Sequence, residues 1–506
     1  LTVNELDRRF SVPPFLIGEN PAHERYREAV ELFALFDQLK AQRFGVFSIR
    51  ESFQAVGELR DGTLQGFHMS VDEAWESICF MDSLGVGVVE LPSYPANRPG
   101  QEFNRELIER ARAAGLKIEF AAHARCVPID IEASIKTGFT RLHLYIGTSK
   151  IKQATARATV PQLAKKAHDS IYYARQLGAT CVRISTEDAF RTTLEDYETF
   201  YMNLVAALRE SSGRAFVNGV GIPDTVGLAT IDELGDRIAV LRRAGLEFEW
   251  LECHVHNDIG NADRTYVDTL LLCQRLGITM LPDFSILGIG ERNGTIGLSS
   301  LLEAIYRRLI LLYPRKMAAI RAAMRDKLGT LPNGELFVNR YRDMDAFFYR
   351  MLSRIGFIFD RSPFSANTEY DGSGVHADTT LRAYQLALQE NLEGQDAIDA
   401  GNSAYVGALP PYDMPLRTPV LACFGCGKAN VRYWREREGL QLADQDVIRE
   451  QIKHLEEIDH SALTFPINEN TADELIAQLI RIHSIKNNGI LHQEALDLMM
   501  LFYRKP

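Results

Sequence analysis

The sharpest chemical signal in the chain is Cys253-His254-Val255-His256-Asn257-Asp258. His254 and His256 lie two residues apart in Glu249–His256, a run that reads as a β-strand. Strand side chains alternate faces, so both imidazoles point to one side. Two neutral imidazoles side by side chelate a divalent metal; the plain alternative is one core histidine and one that caps a loop. A carboxylate for the same metal is offered by Asp61, in Leu59-Arg60-Asp61-Gly62 at the end of another predicted strand, Val56–Leu59. One carboxylate and two histidines leave positions open for water and substrate, the pattern of a working metal site. Mixed nitrogen and oxygen ligation suits Mg²⁺, Mn²⁺, Co²⁺ or Zn²⁺. Asp61 could instead be a turn residue ahead of Gly62. Arg60 carries a permanent charge able to polarise a carbonyl oxygen or clasp a carboxylate; otherwise it forms a surface ion pair.

These side chains need a frame. From about residue 54, short β-rich runs alternate with helical patterns such as Val71–Leu84, Gln162–Leu177 and Ile231–Ala244. The strand candidates are Val56–Leu59, Gly87–Leu91, Lys117–Ala122, Arg141–Ile146, Cys181–Ile184, Ala215–Val220, Glu249–His256 and Thr279–Ile286. Eight βα units over about 250 residues predict an α/β fold, a (β/α)8 TIM barrel. A doubly wound open sheet is the rival, but no G-x-G-x-x-G opens a helix after the first strand. Arg60-Asp61, Glu90, Arg125, Glu187, Asp224-Thr225, His254/His256 and Glu291-Arg292 all fall at or beyond strand C-terminal ends, where barrel enzymes build their sites. The expected organisation is an N-terminal extension (1–50) with an amphipathic helix over Asn20–Lys40, the barrel (51–330), a linker subdomain (331–420) and a helical subdomain (421–506).

Composition narrows the function classes. The 506 residues are 46% hydrophobic and 24% charged, which excludes a disordered or fibrous chain. A balance of 56 Lys+Arg against 67 Asp+Glu gives −11, which argues against a nucleic-acid binder. No apolar run approaches the ~18 residues of a membrane span, and the N-terminus lacks a signal-peptide layout. Cytoplasm is the expected compartment. Cys79, Cys181, Cys253 and Cys273 read as core residues, and Cys423-x-x-Cys426 lacks the second pair of a zinc site.

Several segments in order carry a resemblance: ELRDG (58–62), ARCVPIDIEASIKTGFTRLHLYIGTS (124–149), STEDAFRT (185–192), GIPDTVGLAT (221–230), HVHNDIGNA (254–262) and GIGERNG (288–294). Over about residues 55–460 the chain resembles the DRE-TIM metallolyases, the group of 2-isopropylmalate, homocitrate, citramalate and Re-type citrate synthases and hydroxymethylglutaryl-CoA lyase. The lyases use a cysteine in the loop after the eighth strand; that loop here, GIGERNGTIG, has none. GSGVHAD (372–378), AYVGALPP (404–411) and GCGKANVRYWRE (425–436) are similar to the synthases' C-terminal region. The resemblance points to the Claisen-condensing branch, without the long regulatory domain of some members. The alternative is a carbon–carbon lyase or aldolase on the same barrel.

The resemblance implies that a 2-oxo acid chelates the metal through its keto and carboxylate oxygens, and that an acyl-CoA, acetyl-CoA first, is the co-substrate. Asp61, His254 and His256 would be the ligands, and Arg60 would assist at the keto oxygen. Thr225 would bind the oxo-acid carboxylate. Glu187 and His376 match the acid/base groups and Tyr405 a tyrosine near them; outside the match, His376 could cap a loop. Glu90 is either a substrate contact or a buried ion-pair partner. Arg125 would bind a distal carboxylate or pair with Asp61 or Glu90. His123, with Arg60, Arg125 and Arg264, would border the substrate tail. Lys428 and Arg432 could approach CoA phosphates or form a solvated face. A homodimer is implied, with the His376/Tyr405 region completing the partner's barrel. Three departures from the family pattern stand out: Thr63 and Leu64 displace Gln65 from the usual R-D-G-E-Q spacing, Thr295 replaces a metal-proximal asparagine, and Arg264-Thr265 replace the usual Ala-Asn.

Overall fold

The architecture comes from a computed structural model, which describes residues 10–58, 64–92, 98–331, 333–359, 369–405, 415–422, 425–455, 458, 466–486 and 490–506. In chain order the strands are β1 (Val46–Ser48), β2 (Val56–Glu58), β3 (Leu64–Gly66), β4 (Val88–Leu91), β5 (Glu119–Arg125), β6 (Arg141–Gly147), β7 (Cys181–Glu187), β8 (Gly219–Gly221), β9 (Trp250–Cys253) and β10 (Met280–Phe284). β1 and β4 to β10 close an eight-stranded parallel barrel, β1 pairing with both β4 and β10. This is the expected (β/α)8 fold with a largely helical C-terminal region.

One strand is not where the sequence pattern puts it. Val56–Glu58 is no barrel strand: it pairs antiparallel with β3 as a hairpin, Val56 opposite Gly66 and Glu58 opposite Leu64. The barrel opens ten residues earlier, with Val46–Ser48, inside the stretch expected to be an extension. The physical reason is local. β1 is only three residues long and follows Arg43, Phe44 and Gly45, all with positive φ. Strands of three residues have no readable alternation, and Val56–Glu58 is as short as β1, so local pattern does not tell the barrel strand from the hairpin strand. Gly45 is required there, because a Cβ would lie 2.2 Å from the Pro282 carbonyl oxygen. The hairpin clasps the C-terminal region to the barrel. Gly66 N–H donates to Ala422 O (2.6 Å), and Val56 is buried with Leu421, Val431 and Ile476 in a second core.

The helix Glu24–Ala41 buries Leu32, Leu35, Phe36 and Leu39 against the barrel's outer helices, tied by Glu31 to Arg275 (2.6 Å). The helix Phe337–Ile355 covers β1, with Phe348 and Phe47 ring centroids 6.1 Å apart. The C-terminal helices Gly374–Gln389 and Lys428–Arg437 contact each other, and both contribute residues to the barrel-mouth cavity. Among the described residues no helix is long and apolar enough to cross a membrane.

His68 follows the hairpin, is 2% exposed, and has its ring centroid 5.9 Å from that of Phe53. Burial pushes its imidazole down to about 3. Its folded pKa lies below the unfolded value of roughly 6.5, so the neutral ring contributes stability above pH ~6.5 that is lost as pH falls toward 3. The expected outcome is a melting temperature that declines below pH 6.5, with a loss of up to about 1.4 kcal/mol per pH unit from this group. The slope should be shallower in His68→Phe; equal slopes in the two proteins would contradict this.

Candidate active site

Arg50 and Glu51 come from the turn of helix Ile49–Ser52 that directly follows β1. Ser48 caps that turn, its Oγ accepting from Glu51 N–H (3.1 Å), so the strand end and the acidic side chain are fixed together. Glu51 is 0% exposed. Its Oε1 accepts from Glu291 N–H (3.0 Å), in the loop after β10. Gly290 allows this approach, since a Cβ there would lie 2.5 Å from the same oxygen. Glu51 Oε2 lies 2.7 Å from Arg50 Nη1 and 3.6 Å from His254 Nε2.

Glu51, His254 and His256 each offer a ligand atom, and these atoms lie within 4.8 Å of one another. His254 Nδ1 lies 2.8 Å from Asp283 Oδ2, which orients the ring with Nε2 toward Glu51. Burial opposes protonation of His254, but Asp283 and Glu51 outweigh it and raise the imidazole above its usual range. His256 is 5% exposed and its Nδ1, buried, has no hydrogen-bond partner among the described residues. A carboxylate, an oriented imidazole and a second imidazole with an unpartnered buried nitrogen make a donor set that fits a divalent cation.

The expected ligand Asp61 and its neighbour Arg60 lie outside the described residues. Among the described residues, the acid that lies with His254 and His256 is Glu51, and the guanidinium beside it belongs to Arg50. The signal is present in Ile49-Arg50-Glu51-Ser52-Phe53-Gln54, which keeps the family's R-acid-x-x-Q spacing with no insertion. Gln54 Oε1 accepts from Arg50 Nη1 (2.9 Å) at this mouth, while Gln65 sits in the β3 strand of the hairpin. The strand expected to lead into Asp61 is the one that the structure pairs in a hairpin, outside the barrel.

A buried polar chain supports Arg50. Glu90, 0% exposed, accepts from Ser48 Oγ (3.0 Å), Arg50 Nε (2.9 Å) and His143 Nδ1 (2.7 Å). Burial works against its charge, yet Arg50 and His143 hold the Glu90 carboxyl well below the usual range. Of its two readings, the buried ion-pair partner is what the structure supports. Arg50 remains charged in turn, Glu90 and Glu51 outweighing its desolvation. Arg183, not singled out from the sequence, ion-pairs with Glu252 inside the barrel and borders the cavity with Ser185.

Other expected residues take defined places. His123 borders the cavity and stacks on Tyr145, centroids 4.2 Å apart. Arg125 also borders it but pairs with Asp130, through Nε (2.8 Å) and Nη2 (2.9 Å), and not with Glu90. Thr225 Oγ1 accepts from Asp188 N–H (2.9 Å) at the cavity wall. Thr225 O accepts from Arg292 Nη2 (2.6 Å). Thr295 Oγ1 donates to Val255 O (2.6 Å), bracing the residue between the two histidines. Arg264 does not border the cavity; its side chain is 86% exposed beside Asp268.

The C-terminal region closes the mouth of its own chain's barrel, where the resemblance implies that of a partner. His376, at the start of helix Gly374–Gln389, hydrogen-bonds through Nδ1 to Glu291. Burial raises Glu291, but His376 and Arg292 outweigh it and keep the carboxyl well below the usual range. An ionised carboxylate only accepts, so Nδ1 carries the proton and Nε2 is the basic nitrogen. Tyr405 is fully buried, its ring centroid 4.1 Å from that of His376 and its hydroxyl donating to Glu187 Oε1 (3.1 Å). Around these groups lies a cavity of about 550 Å³, bordered by Arg50, Glu51, His254, His256, Glu187 and His376. Cys426 and Lys428 also border it, whereas Cys423 lies outside the described residues.

If Glu51 is the acidic ligand, Glu51→Gln removes divalent-metal binding and Asp61→Asn leaves it intact; titration calorimetry with Mn²⁺ and Zn²⁺ measures both. Asp283→Asn, which loosens His254, should weaken affinity about 10–100-fold. Retention of full affinity by Glu51→Gln together with its loss in Asp61→Asn would reinstate Asp61 as the ligand.

The HMGL-like family model matches residues 55–325, just over half of the chain. The mitochondrial homocitrate synthase of Schizosaccharomyces pombe is 34% identical over 227 residues, 45% of this chain and 50% of that protein. The cytosolic homocitrate synthase isozyme of Saccharomyces cerevisiae is 33% identical over 223 residues, covering 44% and 47%. A probable 2-isopropylmalate synthase of Archaeoglobus fulgidus is 29% identical over 251 residues, covering 49% and 46%. The chain thus spans about half the length of the curated relatives it matches. With a closed parallel barrel and a match across most of its strands, the chain belongs to the HMGL-like family of DRE-TIM barrels.

Proposed function

We propose that this chain is an acyl-CoA:2-oxo acid C-acyltransferase, condensing acetyl-CoA with a 2-oxo acid to a 2-hydroxy-2-alkyl di- or tricarboxylate and free CoA. The observation that carries the reading is the Glu51–His254–His256 set facing one cavity with His376 from the C-terminal region, against whose ring Tyr405 packs. The synthase names of the matched relatives support it. So does the loop Gly288–Gly297, which has no cysteine for the hydroxymethylglutaryl-CoA lyase alternative.

Glu51, His254 and His256 would hold a divalent cation, which supplies Lewis acidity to the keto and carboxylate oxygens of the oxo acid. Arg50, charged and held by Glu90, stabilises negative charge on the keto oxygen as the carbon–carbon bond forms. Thr225 binds the oxo-acid carboxylate. His376, held through Nδ1 by Glu291, takes a proton at Nε2 from the acetyl methyl carbon, and that carbon bonds to the keto carbon. Tyr405, its hydroxyl hydrogen-bonded to Glu187, would give a proton to the alkoxide oxygen to form the new hydroxyl and regain one from solvent. Water then cleaves the thioester, giving a carboxylate and the CoA thiol. His123 and Arg125 face the substrate tail. A homodimer and a cytoplasmic location belong to the same proposal; the name of the cytosolic yeast isozyme supports the latter.

Thiol release on mixing acetyl-CoA with a panel of 2-oxo acids tests the reading, with Mg²⁺, Mn²⁺, Co²⁺ and Zn²⁺ each supplied. Turnover should disappear with EDTA and in Glu51→Gln, and fall about 10²–10⁴-fold in His376→Ala. Silence across the whole panel, or cleavage of a 3-hydroxy acid without thiol release, would overturn it.

A further inference from the structure

We propose that Lys152 is a positioning residue of this site, its ammonium group fixing the Glu187 carboxylate and the Tyr405 ring in one arrangement as the C-terminal region closes on the barrel. This rests on the condensation reading above. Lys152 belongs to the short helix Lys150–Ala156 that follows β6, and it is only 5% exposed. Its Nζ lies 2.9 Å from Glu187 Oε1 and 3.7 Å from the centroid of the Tyr405 ring. The Tyr405 hydroxyl donates to that same oxygen at 3.1 Å. Two donors, one from a barrel loop and one from the C-terminal region, thus converge on Oε1, and Oε2 is outside this pairing.

The route of the lysine is built into the sheet. Gly147 of β6 is paired with Glu187 of β7, and a Cβ on Gly147 would lie 2.7 Å from Lys152 Cγ. The missing side chain lets the lysine stem cross the strand backbone to reach the carboxylate. A buried ammonium is costly unless a charge or a ring face meets it, and here both do. Docking of the C-terminal region has a separate anchor: Arg191 donates to the Ser403 carbonyl and, at 2.8 Å, to Ala404 O. Losing Lys152 should therefore disturb orientation and charge while the region stays docked. Burial opposes the charge of Glu187; Lys152 first and then His376 outweigh it and hold the carboxyl below its usual range. Without the lysine that carboxyl rises, because burial is then less opposed.

The experiment uses the full chain and the thiol-release assay. Thiol release by the wild type comes first: none with any oxo acid sinks the condensation reading, and this inference with it. With an active wild type, Lys152→Met should keep its melting temperature within a few degrees and bind Mn²⁺ as before. Its kcat should fall about 100-fold with little change in KM for acetyl-CoA. The acid limb of its kcat profile should move up by about one pH unit. Lys152→Arg, which restores the charge, should recover at least a tenth of the activity. If Lys152→Met does not fold, Lys152→Gln compared with Lys152→Arg carries the same readouts. An active wild type whose lysine variant keeps its kcat and pH profile would refute the role. So would a loss of kcat with an unmoved pH profile and no rescue by arginine, which marks packing alone.

Discussion

The site depends on keeping a dense set of charges folded inside a barrel mouth. Removing any one carboxylate or guanidinium from water is expensive, and only close partners offset it. Glu51 is where the demands meet. It takes a hydrogen bond from the backbone after β10, faces the Arg50 guanidinium, and turns its other oxygen toward His254. β1, β9 and the loop after β10 are thereby bound to one oxygen pair. The closed sheet matters because it brings chain segments over two hundred residues apart within 4.8 Å.

Behind this pivot the charges are ordered in sequence. Arg141 donates to His143, His143 to Glu90, and Glu90 accepts from Arg50. On the opposite side Asp283 orients His254, while Glu291 orients His376. Arg50, His254 and His376 therefore each have a partner that fixes their direction. This is what preorganisation requires: dipoles set before the substrate arrives need no rearrangement as charge develops.

The C-terminal region is held by several independent contacts. The hairpin of β2 and β3 binds it through Gly66 and Val56, Arg191 binds its backbone, and Glu291 and Glu187 bind His376 and Tyr405. The hairpin shows how a strand-like sequence misleads. Val56–Glu58 is a strand, but its hydrogen bonds go to its neighbour β3 and Val56 to the second core.

By itself the sequence determined the periodic alternation that makes a barrel, the close pairing of His254 and His256, and the positions of Glu187 and Thr225 at or beyond strand ends. These are local properties: alternation, spacing and turn chemistry act over a few residues. Strand pattern alone does not separate two arginine–acid pairs, Arg50-Glu51 and Arg60-Asp61, because each follows a strand-like run; the R-acid-x-x-Q spacing is the one local feature that differs. Tertiary structure brought Glu51 to the histidines, since sheet closure selects which strand lies beside β10. It alone also placed Lys152 on Glu187 and Asp283 on His254, and it turned Glu90 into a support for Arg50. Contacts between distant segments leave no period in a single chain; they arise only when the sheet closes and buried charges must find partners.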